Sequence, residues 1–172
     1  MESSNQSQLV HIAEDILSHA KKLTACLLDR SAALPSLEVG ASSELWTAHD
    51  LQQHCTSLRG LMQQLDKLAE GPHGFLHEYV STNWEHGALY ALLDFGVLEQ
   101  IPLEGAIPIA RLAEQTGLPS EKLLRICRLT ACAGILRETE ECVFAHTAIS
   151  EELVRDNGFK SFIAFQYVNH MI

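Results

Sequence analysis

The stretch from Ile109 to Ala145 constrains the fold more than any other part of the chain. Pro108 presets a helical φ and lacks only an N–H that a helix's first turn leaves unused. A helix is therefore expected from Ile109 to Gln115, closed by Gly117, with Leu118-Pro119 turning the chain. Ser120 stands where a cap is needed, and Leu123, Leu124, Ile126, Cys127, Leu129 and Ala131 give the next helix its core-facing set before Gly134. Ile135 to Arg137 and Cys142 to Ala145 read as two short strands, with Glu138-Thr139-Glu140-Glu141 as the polar tip between them. A preceding helix over Asn83 to Phe95, stopped by Gly96, completes the order of a winged helix.

Two longer helices are expected upstream. Leu9, Ile12, Ile16, Ala20, Leu23, Leu27 and Leu28 recur at steps of three and four from Gln8 to about Arg30, with Asp15, Lys21, Lys22 and Asp29 opposite. Ala33 to Ser43, with Pro35, Gly40 and no periodicity, reads as a connector. Leu51, Cys55, Leu58, Leu61, Met62, Leu65 and Leu68 then mark a helix from about Ala48 to Glu70, which Gly71-Pro72 stops. The fold class is mainly α: an N-terminal helical hairpin followed by a winged-helix domain with a small β-hairpin.

Charge excludes several functions. The 172 residues carry 12 bases against 22 acids, a net charge of -10, so no broad positive field exists to condense on phosphate. Lys122, Arg125 and Arg128 do line one side of the second helix of the helix-turn-helix, where a major-groove reader would place its cations. From Asn83 to Asp156, however, acids outnumber bases two to one, and the acidic wing tip would repel a phosphate backbone. These three cations are read as a solvated helix face, and neither nucleic acid nor membrane is an expected partner. No apolar run approaches the roughly 18 residues of a membrane span. Met1 to Gln8 has no basic start leading into an apolar core, so a cytoplasmic protein is expected. Five cysteines, Cys26, Cys55, Cys127, Cys132 and Cys142, lack paired spacing and are expected as thiols.

Side chains capable of chemistry are present without a recognisable arrangement. His73 and His77, near Glu78 and His86, are spaced for a shared ion, but Gly71, Pro72 and Gly74 argue against a regular helix there. Cys127, Cys132, Cys142 and His146 are four zinc-capable groups whose helical pair points to different faces. Buried thiols and surface imidazoles are the expected reading of both sets. No Gly-x-Ser-x-Gly elbow occurs, and no two glycines are separated by a single residue, so the phosphate-approaching turn of a dinucleotide or S-adenosylmethionine site is absent. No catalytic, cofactor-binding or metal-binding residue is assigned. The apolar surplus instead points to association: Trp84 and Tyr90 join a terminal helix carrying Phe159, Phe162, Ile163, Phe165, Tyr167 and Val168. That helix is expected to continue into, or pair with, something that covers it. Trp84, Tyr90, Phe162 and Phe165 are the candidates for a substrate pocket or interface.

The run Leu89-Tyr90-Ala91-Leu92-Leu93-Asp94-Phe95-Gly96-Val97, followed by Ile109-Ala110-Arg111-Leu112-Ala113-Glu114-Gln115-Thr116-Gly117, then Leu124, Leu129 and Ala133-Gly134-Ile135-Leu136, resembles the N-terminal domain of small-molecule O-methyltransferases. Val143-Phe144-Ala145-His146-Thr147, leading into Ser150 and Leu153, fits the same pattern. The N-terminal helices and the Gly71-Pro72 junction look most like the fungal sterigmatocystin-type branch, which acts on polyketides and other secondary metabolites. The resemblance implies dimerisation helices with a linker over 1–72 and a winged-helix dimerisation domain over 73–156. It implies that 157–172 begins a connecting helix to an S-adenosylmethionine-binding domain that this sequence does not contain. It further implies a homodimer, or a heterodimer with a full-length methyltransferase, lining part of an aromatic substrate's pocket. S-adenosylmethionine would be bound only through a downstream domain or such a partner. Methyl transfer by this chain alone is not expected. Two alternatives stand beside it: a methyltransferase-derived cyclase, dehydratase or accessory subunit, with His86 and Tyr90 as candidate groups, and an acidic winged-helix transcriptional regulator.

Overall fold

Helix α1 (Glu2–Asp29) opens the chain in the computed structural model, which describes residues 2–42 and 49–170. The chain divides into two compact units, Met1–Ser36 with Ala41–Val80 and Leu37–Gly40 with Ser81–Ile172.

In the first unit α1 ends in a Schellman closure. Ala32 N–H donates to the Leu27 carbonyl at 2.9 Å and Ser31 N–H to that of Leu28 at 2.9 Å. The position that closure reserves for a left-handed residue is held by Ser31, at φ 53, rather than by glycine. Leu23 and Leu27 bury against Leu51 of helix α2 (His49–Asp94), with Cys26, Ala32 and Cys55 at the margin. One facing helix covers only a narrow seam, so part of each expected apolar stripe remains outside: Leu28 of the first and Met62 and Leu68 of the second are exposed.

The expected stop at Gly71-Pro72 is a break and not an end. Only Gly71 leaves helical geometry, at φ 68 and ψ 177, and the helix restarts at once at Pro72, whose fixed φ and missing N–H suit a first turn. The interval through His73 and Gly74, where the sequence argued against a regular helix, is helical, and the helix expected from Asn83 begins about three turns earlier.

In the second unit α2 closes on Gly96, with Val97 N–H donating to the Leu92 carbonyl at 2.9 Å and both side chains buried across the closure. A 3-10 turn, Leu98–Gln100, leads to strand β1 (Ile107–Pro108), helix α3 (Ile109–Thr116) and helix α4 (Ser120–Cys132). Strands β2 (Leu136–Glu140) and β3 (Val143–His146) form the wing, and helices α5 (Ala148–Arg155) and α6 (Asn157–His170) follow. The antiparallel sheet has the order β1-β3-β2, with Ile107 opposite Phe144 and Leu136 opposite His146. Strand β1 was not expected; two residues ahead of a helix are too few for alternation to show.

Two local readings are corrected. The wing tip is Glu141-Cys142, because β2 carries Glu138 to Glu140 in the ladder across a bulge and the chain reverses with Cys142 at φ 60. Ser120 does not cap α4; the Pro119 carbonyl accepts from the N–H groups of Lys122 and Leu123 instead.

The core of this unit gathers Leu92, Val97, Leu98, Ile101, Ile107, Ile109, Leu112, Leu123, Cys127, Leu136, Phe144 and Leu153. Each large side chain so buried contributes about 1.5–3 kcal/mol relative to exposure. Thr130, absent from the expected core set, is fully buried and donates its hydroxyl to the Ile126 and Cys127 carbonyls.

Candidate functional site

Helix α4 and the wing meet through Arg128 and Glu138. Arg128 Nε and Nη2 donate to the carboxylate at 3.1 and 2.9 Å in a forked pair, and the Cys142 N–H donates to the same carboxylate at 2.8 Å. These donors hold the Glu138 carboxyl below its ordinary range, the Arg128 hydrogen bond being the larger cause, and Arg128 is raised in turn. Sequence reading placed Arg128 on a solvated cationic face with Lys122 and Arg125. In the fold it is committed to an acid of the wing, while Lys122 and Arg125 are exposed.

Beside this pair runs an open cleft of about 610 Å³, lined by Leu37, Glu38, Ala131, Cys132, Leu136 and Arg137 among others. Leu37 and Glu38 come from the connector segment Leu37–Gly40, which belongs to this unit. Ala148 N–H, at the start of α5, donates to the Leu37 carbonyl at 2.9 Å. Glu38 Oε1 lies 2.5 Å from Arg137 Nη1, and the Gly40 N–H donates to Glu151 Oε2. Glu151 is a buried carboxylate. Its Oε1 sits 2.7 Å from Arg155 Nη2, but the angles make that a charge contact and not a hydrogen bond.

A second polar group is sealed inside. His146 Nε2 is 3.1 Å from the Ile101 carbonyl and Nδ1 is 2.8 Å from the Ser150 hydroxyl. Thr147 N–H donates to the same Ser150 oxygen at 3.0 Å, and the Thr147 hydroxyl donates to the Ile135 carbonyl at 2.7 Å. Desolvation by burial pushes the His146 imidazole below its ordinary value, against the opposing carbonyl bonds. No substrate could reach it without opening the core, so the group fits a structural role. Sequence reading gave His146 as a zinc-capable group expected at the surface and as part of the family pattern; it is instead buried, because the Ser150 hydroxyl and the Ile101 carbonyl satisfy both ring nitrogens inside the core. That reading named Ser150 only within the family pattern, although Thr147-x-x-Ser150 has the spacing of a capping box, and it missed Glu151, for which nothing local signals burial.

The four candidate aromatics are distributed as follows. Trp84 is 71% exposed on α2, whereas Tyr90, six residues further on and so turned to a different face, is half-buried. On α6, Phe162 and Phe165 are exposed, and Phe159 stacks on Phe162 with ring centres 6.2 Å apart. Ile163 anchors α6 against the core, and Lys160 pairs with Glu99. Thus α6 is seated by one side and presents aromatic rings on another. Tyr167 and Val168, also named for this helix, lie outside the residues whose side chains are described.

Among the described residues no three His, Cys, Asp or Glu side chains are gathered closely enough to hold a metal ion. His73 and His77 lie one turn apart on α2. Cys127 is in the core, whereas Cys132, also expected as a buried thiol, is on the surface, because five residues along a helix turn it to a different face. No helix among the described residues is long and apolar enough to cross a membrane.

Comparison with known proteins places these features. No family profile matches the chain. It is 56% identical over 166 residues to the O-methyltransferase phnC of Penicillium herquei, covering 94% of this chain and 39% of that protein. It is 30% identical over 148 residues to the O-methyltransferase sol2 of Alternaria solani, covering 86% of this chain and 34% of the relative. The monodictyphenone cluster transcriptional coactivator mdpA of Emericella nidulans is 34% identical over 162 residues, covering 94% of this chain and 32% of mdpA. The chain thus spans between about a third and two-fifths of the curated relatives it matches. A crystal structure of OxaC in complex with SAH and oxaline superposes with a TM-score of 0.66 at 17% identity, over 87% of this chain and 33% of OxaC, and that likeness is one of fold.

Proposed function

We propose that this chain, a homologue of the fungal O-methyltransferases over part of their length, serves secondary metabolism in the cytoplasm as the region that joins two subunits and caps an acceptor substrate. Its own residues do not transfer methyl in this reading. S-adenosylmethionine is held by residues beyond these 172, in the same polypeptide or in a partner, because no glycine-rich strand-to-helix turn occurs among them.

The observation that carries the reading is the uncovered aromatic surface. Trp84, Phe162 and Phe165 are exposed large apolar groups, and burying each offers up to about 1.5–3 kcal/mol to an association. Tyr90, half-buried, contributes to the substrate side. Light scattering over a concentration series, with and without S-adenosylmethionine, tests it. A dimer insensitive to the cofactor is the expected result; a monomer throughout, or turnover of S-adenosylmethionine by the 172-residue chain, overturns it.

A second reading is favoured by one specific observation: mdpA, matched along 94% of this chain, is described as a transcriptional coactivator. On this reading the same surface docks a regulator protein and does not grip DNA, since Arg128 is engaged by Glu138 and the net charge is -10. A salt-insensitive absence of duplex DNA binding, together with loss of cluster transcription on deletion, is its expected signature. Normal transcription in the deletion strain removes it.

A further inference from the structure

We propose that Leu37–Gly40 is a detachable latch that holds the start of helix α5 against the wing. Among the contacts that hold the segment to the rest of its unit are three within four residues. Its Leu37 carbonyl accepts the Ala148 N–H, one of the first-turn donors that α5 cannot satisfy internally. Its Glu38 carboxylate pairs with Arg137 of β2. Its Gly40 N–H supplies the hydrogen bond to Glu151 Oε2, a carboxylate 5% exposed.

The latch is built to hold and to open. The two backbone contacts act on residues three apart in one helix, Ala148 and Glu151, so releasing either end leaves a helix-terminal donor or a buried carboxylate in need of a partner. That couples the contacts. Against this, Leu37 and the Glu38–Arg137 pair are exposed, and an exposed ion pair adds little. The segment lacks a buried side chain of its own to anchor it, so it can leave without the core opening. Departure would widen the cleft beside Cys132 and Arg137 and expose the Glu151 carboxylate. The same step frees the N-terminus of α5, the helix that leads into the aromatic face of α6. The proposal does not depend on the assignment of that face to a dimer.

Gly40 offers a way to shift the latch alone. It sits at φ 84 with nothing within 4 Å of where a Cβ would lie, so Gly40→Ala strains the backbone of the latched form without a clash. Amide hydrogen exchange of the whole chain, followed by NMR, reads the result. In the wild type the amides of Gly40 and Ala148 should share one protection factor, well above an unprotected peptide and well below that of Leu123 in the core. Gly40→Ala should raise exchange at residues 40 and 148 by the same factor, about tenfold. Arg137→Ala, which removes only an exposed pair, should raise both by at most about fivefold. The proposal is overturned if the two amides are unprotected, if they exchange only at the rate of Leu123, or if Ala148 keeps its protection while residue 40 loses it.

Discussion

The Ser150 hydroxyl lies 2.8 Å from Nδ1 of His146, a position from which it can donate to the ring or accept from it. Nε2 faces the Ile101 carbonyl, which can only accept, so Nε2 holds the hydrogen. Nδ1 is then the acceptor and Ser150 the donor, leaving a Ser150 lone pair for the Thr147 N–H. One neutral histidine thereby ties the end of β3 to α5 and to the turn at Ile101.

The neutral state makes stability fall with acid. Burial sets the folded imidazole below its ordinary 6.5, so below that pH the unfolded chain binds a proton that the folded one refuses. Stability should be level above about pH 7 and decline as pH drops through 6.5 towards the depressed folded value. Melting curves between pH 7.5 and 5 should show this slope, and His146→Gln should flatten the part due to this group. Ser150→Ala, which strands Nδ1 and the Thr147 N–H, should cost about 1–3 kcal/mol in urea unfolding at pH 7.5.

Ser31 is a second lever. At φ 53 it occupies the left-handed position of a Schellman closure, while the corresponding positions after α2 and α4 are Gly96 at φ 61 and Gly134 at φ 75. Ser31→Gly should stabilise the protein by about 1 kcal/mol, seen as a higher urea midpoint with unchanged slope. Gly134→Ala should destabilise it by a similar amount. A loss of stability in Ser31→Gly would mean that the serine hydroxyl compensates for its backbone.

The elements that sequence reading found share one property: their signals are local. Pro108, Gly117 and Gly134 punctuate helices whose apolar spacing is regular, so α3, α4 and the wing emerge with small errors at their ends. What it missed depends on partners far along the chain. Strand β1 exists because Phe144 pairs with Ile107, and Glu151 is buried because Gly40 reaches it from 111 residues away. Gly71-Pro72 was legible as an interruption, but whether helix resumes after one residue or ten is settled by packing and not by the dipeptide. The candidate aromatics were legible as apolar surplus. Their separation into exposed Trp84 and half-buried Tyr90 required knowing which face of α2 packs on the second unit's own core.

Arg128 and Glu138 predict a measurable titration. The forked pair and the Cys142 N–H keep Glu138 ionised to lower pH than an ordinary carboxyl at 4.5. Its contribution is therefore present at neutral pH and lost as pH falls through the depressed value. A carbon-detected NMR titration should find Glu138 below the other wing carboxyls, and Arg128→Ala should return it towards the ordinary range. An unchanged Glu138 titration in that variant would assign the shift to the Cys142 amide alone.

The thiols should react in an order set by burial. Cys127 lies at the centre of the core, fully covered, and burial pushes its thiol up to about 12, with the Glu138 charge adding to the effect. Cys132, five residues later on α4, is exposed and lines the cleft beside Arg137. While Cys127 stays buried, almost no thiolate forms at pH 8, and only the thiolate attacks an alkylating carbon. Iodoacetamide on the native chain should therefore modify Cys132 within minutes and leave Cys127 intact until denaturant is added, as peptide mass spectrometry would read it. Modification of both at equal rates would mean that α4 opens readily and that the core around Cys127 is not the rigid support on which the wing and its latch depend.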